Sequence, residues 1–366
     1  MSTAGPQVSP GARSRDPRYD NAKGVLIILV VMGHILMKAP ELSGWHGGGF
    51  WSALYCAIYV VHMPVFVFLS GFFTSAKKKI TEHVRELLLL FVAAQVAWSL
   101  YSFVLSIGKV HAPLVGGFLF ALPGNGLWYL LALFCWRAAT PILTQLRFPS
   151  VVLAGLIVYG AAIGLVENVG LEFSLSRIIC FFPLFAAGFW SRQNDWFLTR
   201  NNFTRKDLLI LAVGLVSAFL VWKMAYRVSL DLLTMARPVS TAGVQLRGVA
   251  FRLLFYVSAL GAARAFILTA PRGTGLLTKI GENSLSIYLG HFYLLLPLEI
   301  YLSPTAWVEH LIWIAPLFIA VSCALFCLVP VGDYFRMLCD TLSNRAFTPP
   351  ALEVVPGPQP GPAPRQ

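Results

Sequence analysis

Long apolar runs recur along this chain, and most are long enough to cross a lipid bilayer. A spanning helix needs about 20 consecutive apolar residues, and a backbone inside lipid must satisfy its own hydrogen bonds. Only 12% of the residues are charged and the mean hydropathy is +0.71, whereas soluble domains carry about 25% charged residues. The sequence therefore predicts an all-α fold, a polytopic bundle of transmembrane helices, and argues against a water-soluble domain.

Ten apolar segments are predicted to span the membrane. They lie at residues 23–38, 51–73, 85–107, 127–145, 150–166, 174–191, 207–224, 248–267, 282–302 and 310–329. Because the number of spans is even, both termini are expected on the same side of the membrane.

The distribution of positive charge indicates which side that is. Of the 28 Lys and Arg residues, twenty fall on the side of the termini and eight on the other side. Cytoplasmic loops hold an excess of Lys and Arg, so we expect a multi-pass protein of the cell membrane with both termini cytoplasmic. The formal net charge of +12 is then a consequence of topology, and nucleic acid is not an expected partner.

The ends of the chain differ in composition from its middle. Residues 1–18 are predicted to be a disordered cytoplasmic tail and residues 19–332 the transmembrane domain. Residues 333–366 are predicted to be a cytoplasmic tail that is rich in Pro and Gly and disordered at its end. The six cysteines form no CxxC pair of the kind that binds metal, so no metal site is expected.

Three histidines fall inside predicted spans at nearly the same depth. By the helical rise of about 1.5 Å per residue, His34 and His62 lie roughly 16 Å from the inner ends of their spans, and His291 about 14 Å. Ionisable side chains in spanning helices are costly and indicate a functional site by default. A neutral imidazole can take a proton from a hydroxyl as general base. The alternative is that each histidine only forms hydrogen bonds between helices.

Positive charge is concentrated around the short loop between the second and third predicted spans. The cluster consists of Lys77, Lys78, Lys79 and Arg85. Such a cluster can bind the phosphates of a nucleotide-bearing donor such as an acyl-coenzyme A. A topology signal that also contacts anionic lipid is the alternative interpretation.

Several motifs resemble those of the acyltransferase family 3 membrane proteins. Asp20-Asn21-Ala22-Lys23 followed by GVLIILVVMGH, which ends at His34, is similar to the family's first helix, where ten residues separate a basic residue from a histidine. IYVVHMPVFVFLSGFF, residues 58–73, resembles the second helix of the sugar O-acetylase branch. LWYLLALFCWR, RIICFFPLFAAGFW and IGENSLSIYLGHFYLL follow in the expected order, and the likeness covers residues 16–330.

The resemblance implies transfer of an acyl group, expected to be acetyl, from a cytoplasmic acetyl-coenzyme A or other acyl-coenzyme A to a hydroxyl of a carbohydrate or glycosylated acceptor. By motif match, His34 would be the catalytic histidine and Lys23 its basic partner, with His62 and His291 lining the same cavity. Asp20 would support the donor entrance, and Arg85 would match a basic residue on the donor side. Many members carry Arg in place of Lys23, and Lys lacks the guanidinium fork.

Residues near the outer ends of the predicted spans are expected to bind the acceptor. Trp128, Arg177 and Arg252 are the candidates, and Trp128 can stack on a sugar ring, although the role of an ordinary interfacial anchor stays open for it. The acceptor can be a polysaccharide, a lipid-linked sugar or a glycosylated small molecule. Neither its identity nor the length of the acyl chain follows from the sequence.

Two chemical routes and one other class of function stay open. In direct transfer His34 takes the proton of the acceptor hydroxyl as that hydroxyl attacks the thioester; in the second route an acyl-histidine forms on His34 or His291. The candidate donors to the developing oxyanion are His62, Asn283, Ser284 and Ser70. The other class is a transporter with a histidine proton relay, which the scarcity of acidic residues at mid-span disfavours.

Overall fold

The protein is a bundle of α-helices in the computed structural model, and the part of the chain that the structure describes contains no strand. The described residues are 16–37, 50–107, 123, 125–193, 203–228, 230–236, 238 and 245–347. The predicted all-α polytopic bundle is confirmed. Most of the two predicted tails, 1–18 and 333–366, lies outside the described residues.

The helices are numbered here in chain order. They are α1 (Pro17–Met37), α2 (Phe50–Phe72), α3 (Ile80–His83), α4 (Leu89–Ser106), α5 (Trp128–Ala138), α6 (Thr140–Gln145), α7 (Pro149–Ala162), α8 (Leu175–Gln193), α9 (Arg205–Val228), α10 (Gln245–Thr269), α11 (Leu276–Glu282), α12 (Ser284–Tyr301), α13 (Pro304–Leu328) and α14 (Val331–Phe347). A π-helical segment, Val84–Leu88, joins α3 to α4.

Helices occupy all ten segments that were predicted to span. Within the described ranges, seven helical segments are long and apolar enough to cross a membrane. Three predicted spans are not among them. The segment 127–145 is broken at Ala139 between α5 and α6, 150–166 contains the 14-residue helix α7, and α12, in 282–302, carries polar residues such as His291. The number of spans and the side of the termini therefore stay predictions.

Glycines allow α2 and α8 to cross in direct backbone contact. A Cβ atom added to Gly71 would overlap with the carbonyl oxygen of Phe185, and one added to Gly188 would overlap with that of Phe68. Small residues let membrane helices approach closely, which strengthens the packing that holds them together in lipid. This crossing fixes α2, the helix that carries His62.

The position of α1 is fixed by a similar contact and by a polar side chain. A Cβ atom on Gly281 of α11 would overlap with the carbonyl oxygen of Asp20. Nδ2 of Asn21 donates to the carbonyl oxygen of Pro271 at 2.7 Å, and Thr278 donates through Oγ1 to Oδ1 of Asn21 at 2.7 Å. These contacts set the rotation of α1 about its axis, and so the direction in which His34 points.

Gly71→Ala and Gly188→Ala are each expected to lower the thermal unfolding temperature of the detergent-solubilised protein. The added methyl group cannot fit without separating α2 from α8, and overpacking of this kind costs about 1–3 kcal/mol. Gly155→Ala in α7 is the matched control, because a Cβ atom there meets nothing within 4 Å. It should preserve or slightly raise stability, since Ala favours a helix over Gly. Equal losses at all three positions would contradict the close crossing.

Candidate active site

His34 of α1 and His291 of α12 are brought together inside the bundle. Nδ1 of His34 lies 3.1 Å from Nε2 of His291. Their rings are nearly parallel, with centroids 5.2 Å apart and an interplanar angle of 19°. His291 is fully buried. Helix packing therefore turns two histidines that are distant in sequence into a hydrogen-bonded pair.

A backbone carbonyl fixes which nitrogen of each ring carries the proton. Nδ1 of His291 lies 2.9 Å from the carbonyl oxygen of Ile287, one turn earlier in α12. A carbonyl oxygen can only accept a hydrogen bond, so Nδ1 of His291 donates and Nε2 of the neutral ring accepts. Nδ1 of His34 must then be the donor to Nε2 of His291. The lone pair of a neutral His34 is therefore on Nε2, where it can accept a proton.

His62 of α2 is another buried imidazole, and like His291 it contacts the carbonyl oxygen four residues earlier in its helix. Its Nδ1 donates to the carbonyl oxygen of Ile58 at 2.7 Å, and its ring lies edge-on to Tyr59 with a centroid distance of 4.6 Å. A neutral His62 thus also carries its lone pair on Nε2. In that state it cannot donate to an oxyanion through Nε2, which disfavours the oxyanion role considered for it above.

A cavity of about 240 Å³, here called the histidine cavity, is lined by His34 and His62. Trp128 and Arg177 line it as well. The Arg177 guanidinium lies over the Trp128 ring, with its central carbon 5.0 Å from the ring centre. Two of the three predicted acceptor-binding residues therefore share a cavity with His34. His291 does not line this cavity, but it contacts His34, which does.

A second and larger cavity of about 490 Å³, here called the basic cavity, collects charged residues from several helices. Its charged lining residues are Arg85, Glu86, Arg137, Arg336 and Asp340. The remainder of the lining is mainly apolar, with leucines, Phe66 and Met63 from α2, and residues of α1. The cavity therefore combines charged side chains with an apolar lining.

The two cavities are neighbours. Val30, Met63 and Tyr288 line both of them. On α1 the lining begins at Ile27 in the basic cavity and ends at Met37 in the histidine cavity, which is about 15 Å by the helical rise. The cavities therefore follow one another along the bundle and share three lining residues.

Lys23 and Asp20 do not reach the histidine cavity. Nζ of Lys23 lies 2.7 Å from Oδ1 of Asp20, whose side chain is buried, and neither residue lines either cavity. The structure thus does not bring Lys23 to His34, which lies about 16 Å further along the same helix by its rise.

The basic cluster of the sequence is only partly at the basic cavity. Arg85 lines the cavity, and Nζ of Lys78 lies 2.5 Å from Oε1 of Glu86, another lining residue. Lys77 and Lys79 are exposed and line neither cavity.

Arg252 is buried among α7, α8 and α10 and lines neither cavity. Its Nη1 donates to the carbonyl oxygen of Gly160 at 3.3 Å and to Sγ of Cys180 at 3.2 Å. These contacts indicate that Arg252 joins helices. Arg252 was predicted to bind the acceptor, because the depth of a residue along a helix does not show which way its side chain points.

The other candidate donors to an oxyanion lie away from His34. Ser284 lines the basic cavity, and Oγ of Ser70 lies 2.5 Å from Oη of Tyr129, which lines the same cavity. Nδ2 of Asn283 donates to the carbonyl oxygen of Lys279 at 2.8 Å. Among the four candidates, His62 is the one that shares the histidine cavity.

Several residues that line the cavities were not predicted from the sequence. Tyr59 and Tyr288 line the histidine cavity, and each precedes a histidine, His62 or His291, by three positions. Residues three apart lie on the same face of a helix, so this spacing could have found both. Arg137 is the last residue of the motif LWYLLALFCWR and could have been predicted from it as a candidate site residue. Within the described ranges, no group of three or more metal-ligating side chains was found.

Comparison with known proteins gives one broad match and two short ones. A family model described as an acyltransferase domain matches residues 16–331. The nodulation protein NolL of Sinorhizobium fredii is 44% identical over 68 residues, 18% of each chain, and that of Mesorhizobium japonicum is 36% identical over 92 residues, 24% of each chain. The chain thus aligns with about a fifth to a quarter of the length of these relatives. No solved structure matches it.

The histidine pair predicts a measurable coupling in stability. His34→Ala and His291→Ala should each destabilise the protein, and the double variant should lose less than the two single losses added together. Hydrogen bonds between membrane helices are worth about 0.6 kcal/mol on average, up to about 1.7, and coupling of that size is expected from a double-mutant cycle of unfolding free energies. His34 and His310 form the control pair, whose effects should add, because His310 is exposed on α13 and lines neither cavity. Additive losses for His34 and His291 would contradict the hydrogen bond.

Proposed function

Because the chain belongs to acyltransferase family 3, whose model covers residues 16–331, we propose that it transfers an acyl group, expected to be acetyl, from an acyl-coenzyme A to a hydroxyl of a carbohydrate or glycosylated acceptor. The observation that carries this proposal is the His34–His291 pair, of which His34 lines a cavity that adjoins a basic one. The protein is proposed to be a multi-pass protein of the cell membrane with both termini cytoplasmic.

The basic cavity fits the chemistry of the donor. Arg85 and Arg137 supply guanidinium groups for the phosphates of the nucleotide, since a planar guanidinium can donate two hydrogen bonds to one phosphate. The apolar part of the cavity suits the pantetheine arm, and its inner end is the shared wall of Val30, Met63 and Tyr288. Positive charge predominates on cytoplasmic faces, so this cavity is proposed to open toward the cytoplasm, where the donor is.

The acceptor binds in the histidine cavity. Its hydroxyl gives its proton to Nε2 of His34 and attacks the thioester carbonyl, forming the new oxygen–carbon bond. The tetrahedral intermediate then breaks its carbon–sulfur bond, and the proton passes from His34 to the departing coenzyme A thiolate. The products are the ester and free coenzyme A. Holding both substrates in adjoining cavities supplies the advantage of proximity.

His291 is proposed to position His34 and to support its charged form. The hydrogen bond from Nδ1 of His34 to Nε2 of His291 persists when Nε2 of His34 takes a proton, because both ring nitrogens of an imidazolium are donors. The bond also fixes the orientation of the His34 ring, which lines the histidine cavity. His291 is therefore a positioning residue, and His34 is the group that contacts the reacting atoms.

Two residues that carry hydrogen-bond donors, Tyr59 and Arg177, line the histidine cavity with His34 and are the proposed donors to the developing oxyanion. Fixed donors in a low-dielectric site stabilise a negative charge that develops in the transition state. Trp128 presents an aromatic face for a sugar ring, held in place by its contact with Arg177.

His34→Ala is expected to lower the rate of acyl transfer by about a hundredfold or more, since general base catalysis contributes 10²–10⁴-fold. The measurement is release of free coenzyme A thiol from acetyl-coenzyme A by the purified full-length protein, in lipid nanodiscs, with a panel of sugar acceptors. His291→Ala should lower kcat less than His34→Ala and leave both KM values nearly unchanged.

His310→Ala is the matched control for these variants, because His310 is an exposed histidine on α13 that lines neither cavity. It should retain the activity of the unmodified protein. A near-normal rate for a folded His34→Ala variant would remove the proposed mechanism. Accumulation of an acylated protein in the absence of acceptor would instead indicate the acyl-histidine route.

Trp128→Ala and Arg177→Ala are expected to raise the KM for the acceptor about tenfold, which corresponds to roughly 1.4 kcal/mol, and to leave donor affinity unchanged. The reason is that both side chains line the histidine cavity but not the basic one. Lys223→Ala is the control, since Lys223 stacks on Trp222 at 4.8 Å in a similar pair outside both cavities. A change in donor affinity without a change in the KM for the acceptor would contradict this assignment.

A further inference from the structure

The C-terminal helix α14 forms part of the basic cavity although the family model does not extend over it. The matched region ends at residue 331, where α14 begins. Arg336, Cys339 and Asp340 of this helix line the cavity together with residues of the π-helical segment and of α5 and α12. One wall of the cavity is therefore built from a segment that the family model does not match.

Packing holds α14 firmly against the bundle. The backbone N–H of Gly332 donates to Oγ of Ser286 in α12 at 3.0 Å. Phe335 reaches a small cavity between Trp98 of α4 and Phe292 of α12. Cys339, one turn further on, is almost completely buried. The helix is thus seated on α4 and α12, and the position of its charged face relative to the cavity is set.

Arg336 is placed to bind an anion at this cavity. Its side chain is 60% exposed, and Nη1 lies 3.3 Å from Oδ1 of Asp333, whose side chain is 67% exposed. Ion pairs as exposed as this contribute little to stability, so Arg336 can leave Asp333 for a stronger partner. A phosphate offers a guanidinium paired, charge-assisted hydrogen bonds.

The charge around the cavity favours a polyanion. Three arginines, Arg85, Arg137 and Arg336, line it from three different elements, against two carboxylates, Glu86 and Asp340. Glu86 is paired with Lys78, which lies outside the lining, at 2.5 Å and with Arg137, which lies within it, at 3.8 Å. Removal of Arg336 would take away one of the three guanidinium groups, and it is the one that lies on the unmatched helix.

We propose that α14 forms one wall of the donor site and contributes to donor specificity, because its Arg336 binds a phosphate of the nucleotide of acyl-coenzyme A. This inference rests on the proposed function, because it assumes that the basic cavity is where the donor binds. Arg336 contacts the nucleotide end and does not contact the thioester, which lies at the wall shared with the histidine cavity.

The experiment compares two donors on the full-length protein in lipid nanodiscs, with binding measured by calorimetry. The variants are Arg336→Glu and Arg336→Lys. Arg147→Glu is the control, with the same change of charge at an exposed residue of the loop between α6 and α7 that lines neither cavity. Acetyl-coenzyme A carries the nucleotide, whereas acetyl-pantetheine carries the same thioester and arm without it.

Arg336→Glu is expected to raise the Kd for acetyl-coenzyme A about tenfold or more and to leave the affinity for acetyl-pantetheine unchanged. Arg336→Lys should show a smaller loss, because Lys keeps the charge without the fork, and Arg147→Glu should show none. Unchanged affinity of Arg336→Glu for acetyl-coenzyme A, or an equal loss for both donors, would overturn the inference. If the unmodified protein binds neither donor, the proposed function itself fails, and the inference with it.

Discussion

The hydrogen bond from Nδ1 of His34 to Nε2 of His291 joins two helices through residues 257 positions apart in the sequence. Inside a bilayer an imidazole without a partner is costly, because no water can replace the missing hydrogen bond. The carbonyl oxygen of Ile287 accepts the other proton of His291. One backbone carbonyl on α12 thus sets the tautomers of two rings, and through them places a lone pair on the His34 nitrogen that is proposed to take the proton of the acceptor.

That hydrogen bond depends on where the helix backbones cross. Lipid tails are as apolar as leucine, so membrane helices are held together by close packing and by polar contacts between them. α1 is fixed to α11 where Gly281 meets the backbone of Asp20, and Asn21 ties it to neighbouring carbonyl groups. The Gly71–Gly188 crossing fixes α2 and with it His62. Glycines that let helix backbones touch therefore help to position the polar site.

The agreement between sequence and structure follows from what a helix keeps constant. The rise per residue of a helix hardly varies, so the depth of each histidine along its helix could be predicted. His34 and His291, which were expected at nearly the same depth, do meet. Rotation about the helix axis depends on packing, which a single sequence does not record. Of the predicted acceptor-binding residues, Trp128 therefore lines the histidine cavity, whereas Arg252 is buried between helices. Arg336 was not predicted, because α14 is held in place by packing on α4 and α12. No residue spacing in the predicted tail indicates that packing.

The partition between the two cavities gives the proposed reaction its order in space. Val30, Met63 and Tyr288 line both cavities, so the two substrates of the proposed reaction would meet beside these side chains. Side chains change rotamer on a far shorter timescale than helices move, so the proposed passage of an acyl group between the cavities requires no movement of helices. Water that reached the thioester would compete with the acceptor hydroxyl, and side chains that fill the junction would limit its access. His34 lines the histidine cavity and not the basic one, so the proposed proton transfer takes place on the acceptor side.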